Sequence, residues 1–202
     1  MELQKLLEVI QVQRHDFLNH LQVISGCLQL NKADRVQEYI RQVIADMRVM
    51  SQTARLEIPE VALALLVGIN EAAKYQMEVA LTVDSKMDEC AVPGTVAGLA
   101  LEYVWSCFLG NLFPPGMGKR SLTLRFAESR EKYTVCLGSR ASNIGDFLLL
   151  KKCLAPVREH LHKHGGESNV NLTGENLEIL LEFPRKRAEN GQTKGTDKLS
   201  GG

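Results

Sequence analysis

The 202-residue chain carries 24 Lys and Arg against 24 Asp and Glu, so no broad basic field advertises nucleic acid or an anionic membrane. Its 45% apolar content suffices for a core in one or two domains, while apolar runs such as residues 61–69 fall far short of the roughly 20 residues that span a bilayer. The cysteines (27, 90, 107, 136 and 153) form no Cys-x-x-Cys pair and no signal-peptide pattern opens the chain, which together predict reduced, mostly buried thiols in a cytoplasmic protein.

The spacing predicts a first helix over residues 3–30. Leu3, Leu7, Ile10, Phe17, Leu21, Ile24 and Leu28 fall at alternating four- and three-residue steps, with Arg14 filling one slot. That is a heptad seam suited to packing against other helices. At about 100° per residue, His15 lies roughly 140° from the seam, with Asn19 and Gln22 within about 40° of it and Gly26 one turn later. A core residue would not sit there. An outward neutral imidazole on a rigid helix offers a nucleophilic nitrogen to a group carried by another molecule. His20 lies closer to the seam and reads as a flanking packing residue.

Residues 31–34 read as a short turn, with Asp34 as N-cap of a second helix. Val36, Ile40, Val43, Met47, Met50 and Ala54 repeat the four-three spacing there. So short a connection forces an antiparallel hairpin, and a hairpin alone cannot cover both seams. A second copy is the expected partner, giving a dimeric four-helix bundle; a plain structural coiled coil fits the same pattern.

Composition changes at Pro59. A helix is expected over 60–77, a strand over 79–83 and a helix over 95–112. Residues 122–126 and 133–137 read as a hairpin, 147–164 as a helix stopped by Gly165 and Gly166, and 170–172 with 177–183 as a last hairpin. This mixture predicts an α+β fold in which the helical hairpin precedes an α/β sandwich, with helices on one face of a mixed sheet. The expected division is 1–57, 58–184 and a polar, disordered tail over 185–202. Two site-like features carry nothing. Gly116, Gly118 and Lys119 do not make a phosphate-binding loop, because Phe113 and Arg120 stand where Gly and Ser or Thr belong. His160, His162 and His164 spread around their helix and suit its C-terminal dipole rather than a metal.

The string Arg14, His15, Asp16, Phe17, Asn19, Leu21, Gln22, Ile24 and Gly26 resembles the phosphoacceptor helix of the sporulation initiation phosphotransferase B family. It is also similar to that of the citrate- and dicarboxylate-type sensor kinases. The resemblance implies that His15 carries a phosphoryl group. Asp16 would then orient or polarise the imidazole, and Asn19 and Gln22 would hydrogen-bond the phosphoryl oxygens. Arg14 would either neutralise charge or pack in the seam. Gln11 and Gly26 would meet the partner, Gly26 by letting its backbone come close.

The later elements resemble, in their order, the ATP-binding domain of histidine kinases. The residues 108–112 look like the start of the kinase asparagine box, but Pro115 stands at the second, magnesium-holding asparagine. Gly138, Ser139 and Arg140 replace the adenine-reading aspartate loop, and residues 142–147 hold one glycine where a glycine-rich lid belongs. The scaffold is kept and the nucleotide chemistry lost. What the resemblance implies is a phosphorelay transferase of sporulation initiation. It would be a homodimer with no cofactor of its own, moving a phosphoryl group between aspartates of response-regulator receiver domains that supply the magnesium. An ATP-dependent autokinase and a non-catalytic receiver-binding adaptor are the alternatives.

Overall fold

A computed structural model describes residues 2–111, 120–140 and 144–186. The expectations for Pro115, for the loop 116–119 and for most of the tail therefore lie outside the described residues.

Helices α1 (Glu2–Gln29) and α2 (Ala33–Thr53) form the expected hairpin. Asn31 turns the chain with φ +54°, a left-handed conformation that asparagine tolerates. Helix α2 consequently starts two residues earlier than the sequence implied. Lys32 is its N-cap, and Asp34 lies inside the first turn, where its charge still suits the helix dipole. Within the single chain the seam stays open. Leu7, Ile10, Phe17, Leu21 and Leu28 on α1, with Ile40, Ile44, Met47 and Met50 on α2, are all exposed. Among the described side chains of the hairpin, Val36 of the seam and Val9 are buried, and Ile24 and Val43 are half-buried. Helix α1 also packs against α3 (Pro59–Lys74).

The remaining elements build two layers. Strands β1 (Met77–Val83), β2 (Arg120–Glu128), β3 (Lys132–Arg140), β4 (Glu167–Thr173) and β5 (Asn176–Pro184) form one sheet in the order β1-β2-β3-β5-β4. Only β1 and β2 run parallel, joined by a crossover through α4 (Gly94–Gly110); the other pairs are antiparallel. Alternation puts Leu122, Leu124 and Phe126 of β2, Tyr133, Val135 and Leu137 of β3, and Leu177, Ile179, Leu181 and Phe183 of β5 in the core. Helices α3, α4 and α5 (Phe147–His162) contribute the facing apolar residues, among them Leu65, Phe108, Leu150 and Leu161. The opposite face is polar, crossed by ion pairs such as Lys132 with Glu182 at 2.5 Å.

Several boundaries moved for local reasons. Gln76, at φ +54°, ends α3 early and lets β1 begin at Met77, which is buried. Strand β3 runs on through Gly138, Ser139 and Arg140, so these residues pair with β2 and β5 and form no loop. A side chain at Gly138 would meet Thr123 Oγ1 at 2.6 Å, which explains the glycine. Helix α5 begins at a proper cap, Asp146 accepting from the Leu149 N–H at 3.0 Å, and ends two residues sooner than expected. Gly165, at φ +78°, and the Gly166 N–H bonded to the Leu161 carbonyl close it. Arg185 and Lys186 belong to the folded body rather than to a tail. Their N–H groups donate to the Glu131 and Glu89 carbonyls, and Arg185 pairs with the Glu89 carboxylate.

One chemical expectation is overturned. Cys107 of α4 and Cys153 of α5 are joined in a disulfide, with Cα atoms 5.8 Å apart; Cys27, Cys90 and Cys136 are free. Forty-six positions separate the pair in sequence, so spacing gave no sign of it.

Gly68 of α3 seats the indole of Trp105 from α4: a Cβ there would fall 2.1 Å from the ring. Gly68→Ala should therefore cost about 1–3 kcal/mol through overpacking. Trp105 is the single tryptophan, so urea unfolding followed by its emission measures this directly. An alanine variant as stable as the parent would mean that the two helices do not meet this way.

Candidate functional site

His15 sits near the middle of α1 with its side chain 74% exposed, as the helical register predicted. The four-residue spacing brings Asn19 alongside it, and Asn19 Nδ2 lies 3.1 Å from His15 Nδ1. Asp16 Oδ1 approaches the same nitrogen at 3.5 Å. Among the described residues, no hydrogen bond or ion pair engages Nε2. The ring is thus held from one side and open on the other.

The hydrogen-bonding role of an amide beside an imidazole depends on which way the amide is turned. A carboxylate next to Nδ1 favours a proton there. As placed, Asn19 presents its Nδ2–H to Nδ1; with the amide turned over, its carbonyl would accept from a proton on Nδ1 and leave the lone pair on Nε2, facing solvent. The Asp16 carboxylate favours this second arrangement, whose outer nitrogen is nucleophilic.

The other predicted residues surround His15 without bonding to it. Gln11, Arg14 and Gln22 are exposed, and Gly26 is half-buried. A Cβ at Gly26 would meet no atom within 4 Å, so nothing in this chain demands a glycine there. Arg14 makes no seam contact in the single chain, because the seam itself is open. All of these groups project from one helix into solvent.

Sequence reasoning missed two features that hold this surface in place. Tyr39 of α2 has its hydroxyl 2.9 Å from His20 Nδ1, with the rings 5.8 Å apart. This contact ties α1 to α2 close to His15; a lone tyrosine in an amphipathic helix gave no signal for it. At the base of the hairpin, Gln52 Oε1 accepts from the Val83 N–H at 3.0 Å, and Arg55 donates to the Val83 carbonyl at 3.4 Å. Nothing in the sequence marked these two polar residues, since their partner Val83 lies about thirty positions away.

None of three cavities among the described residues is lined by His15. One of about 660 Å³ is lined by charged residues where the end of α2 meets the sheet, among them Arg55, Asp84, Lys86 and Glu128. At the end of α4, Asn111 donates through Nδ2 to the Cys107 carbonyl at 2.7 Å and accepts the Gly145 N–H at 2.8 Å, so its amide closes its own helix. His160 and His164 meet edge to face with centroids 5.6 Å apart. Among the described residues, no group of three or more His, Cys, Asp or Glu is placed to hold a metal ion, and no helix is long and apolar enough to cross a membrane.

The chain was compared with known proteins. Residues 1–56 match the family described as Sensor_kinase_SpoOB-type, alpha-helical domain. Sporulation initiation phosphotransferase B of Bacillus subtilis (strain 168) is 37% identical over 62 residues, which is 31% of this chain and about a third (32%) of that protein. Among solved structures, the catalytic domain of histidine kinase ThkA superposes with TM-score 0.49 at 10% identity, covering 63% of this chain and 92% of that one. The blue-light activated histidine kinase of Erythrobacter litoralis EL346 superposes with TM-score 0.47 at 20% identity, covering 88% and 59%. The segment that matches the family is the hairpin that presents His15. Over residues 1–56 the chain is thus similar to the alpha-helical domain of SpoOB-type sensor kinases.

Proposed function

We propose that this protein is a phosphorelay histidine phosphotransferase, with His15 as the acceptor of a phosphoryl group from a response-regulator receiver domain. The observation that carries this reading is the His15 environment: an exposed imidazole whose Nδ1 is flanked by Asn19 and Asp16 while Nε2 is open. The similarity of residues 1–56 to the SpoOB-type helical domain supports it.

In the proposed step the Nε2 lone pair attacks the phosphorus of an aspartyl phosphate in line with the departing oxygen. The N–P bond forms as the P–O bond to the receiver breaks, releasing the aspartate carboxylate. Asp16 stabilises the proton retained on Nδ1. Transfer to a second receiver is the same step reversed. Such an exchange needs positioning and charge neutralisation more than a deep pocket. An exposed helical site leaves room for a receiver to bring its own metal; Arg14 and Gln22 would meet the phosphoryl oxygens, and Gln11 and Gly26 the receiver surface. The process served would be sporulation initiation, and the place the cytoplasm.

The acting unit would be a homodimer. Burying one large apolar side chain contributes about 1.5–3 kcal/mol, and the open seam holds many of them. A second hairpin laid against it completes a four-helix bundle with His15 on its flank. Truncating Leu21 and Ile24 to alanine should cost about 2–5 kcal/mol each if they are buried in that bundle. Sedimentation should then show the double variant dissociated or unfolded; a monomeric wild type would refute the bundle.

The acceptor is tested with a phosphorylated receiver domain. His15→Gln should lose all acid-labile label while remaining folded, and His20→Gln should still be labelled. Label that persists in the first variant and vanishes in the second would sink the assignment.

Nucleotide is tested separately. Asn111 is engaged in its own helix end, and Gly138, Ser139 and Arg140 are strand residues. Losing one charge-assisted contact weakens binding by about 1.5–3 kcal/mol, so several missing contacts should abolish useful affinity. Calorimetry with magnesium-ATP should show no saturable binding at about millimolar ligand. Binding together with His15 labelling from ATP would favour an autokinase, and receiver binding without any labelling would favour an adaptor.

A further inference from the structure

The disulfide joins two unlike environments. Cys107 is 4% exposed within α4, whereas Cys153 lies on the exposed side of α5. The two helices also meet through apolar residues of one core, including Phe108 and Leu109 on α4 and Leu150 and Leu154 on α5. The helix pair does not need the bond to stay packed. A second tie, the Gly145 N–H to the Asn111 carbonyl, links the chain just before α5 to the end of α4. Breaking the bond would leave two thiols held near one another, ready to re-form it.

We propose that Cys107 and Cys153 constitute a reversible thiol–disulfide site for low-molecular-weight disulfides, with Cys153 as the entering thiol. In the oxidising direction the Cys153 thiolate attacks one sulfur of a small disulfide such as oxidised glutathione. The S–S bond of that molecule breaks, one thiol leaves, and a mixed disulfide remains on Cys153. Cys107, as thiolate, then attacks the Cys153 sulfur and expels the second thiol. Two protein thiols are oxidised and one small disulfide is reduced to two thiols. In the reducing direction a small thiolate attacks the sulfur of Cys153, the exposed residue of the pair, and Cys107 leaves as thiolate; a second small thiolate then attacks the mixed disulfide and releases Cys153, giving two protein thiols and one small disulfide.

The site is selective because the remaining cysteines are poorly suited to exchange. Burial pushes the Cys90 and Cys136 thiols up, keeping them in the unreactive protonated form. Cys27, on α1, is half-buried and has no sulfur partner. A bond that closes over the 46-position separation removes conformational freedom from the unfolded chain, so oxidation should raise Tm by about 5–15 °C.

The experiment uses the full-length chain, reduced and freed of reductant, then exposed to oxidised glutathione and digested for peptide mass spectrometry. The wild type should yield a Cys107–Cys153 cross-linked peptide and the higher Tm, both reversed by dithiothreitol. Cys107→Ser should stop at a stable glutathione adduct on Cys153, and Cys153→Ser should give neither cross-link nor adduct at Cys107. Overturning results are an adduct on Cys107 in the Cys153→Ser variant, or no adduct on Cys153 in the Cys107→Ser variant. A wild type that keeps glutathione without forming the cross-link would equally refute the site. Both serine variants keep the core residues Phe108 and Leu154, and their reduced Tm reports folding independently of exchange.

Discussion

Val83 is where the two parts of the molecule are joined. It is the last residue of β1, an edge strand, so its backbone groups lack a second strand to pair with. The end of α2 and the turn after it supply the missing partners, Gln52 accepting from its N–H and Arg55 donating to its carbonyl. The same contact does two things. It covers one end of an exposed sheet edge, and it fixes the base of the hairpin against the α/β layers. Val9, packed where α1 meets α3, adds an apolar contact. His15 is carried on a helix fixed through its partner, not on a free arm.

The apolar content of the hairpin is unevenly used. Val9, where α1 meets α3, and Val36, near the turn, are buried, whereas Leu7, Ile10, Phe17, Leu21, Ile44 and Met47 remain open to solvent. A monomer that left so many large apolar groups exposed would carry a patch of the kind that marks an interaction surface. A seam with heptad spacing fits a second helical hairpin better than a flat or irregular partner. The imidazole faces away from that seam, so dimerisation and reaction would use different sides of one helix.

Much of this was legible before any coordinates. Helix α1, its seam and the outward His15 follow from a period of about 3.6 residues per turn, a strong signal in a long helix. The sheet strands were found from alternation, since one face is buried and the other polar. What could not be read depends on contacts distant in sequence. Cys107 meets Cys153 only because α5 lies on α4, and Tyr39 meets His20 only because the hairpin closes. The strand through Gly138 to Arg140 was not legible because those residues stand where the resemblance to kinases puts a loop, whereas here Gly138 lies beside Thr123 and the strand continues. Asp34 is a reasonable cap by sequence, but the left-handed Asn31 turns the chain two residues sooner, at Lys32.

On the proposed reading, the exposed imidazole raises a last question of economy: why so few groups surround it. A histidine that must both accept and release a phosphoryl group cannot be held by many fixed charges, because each would stabilise the loaded state and slow its discharge. One carboxylate and one amide beside Nδ1 orient the ring and leave Nε2 unencumbered. Charge compensation would then arrive with each partner and leave with it. An exposed helix face, away from the main cavities, provides for that exchange better than a closed pocket, which would have to open twice in every cycle.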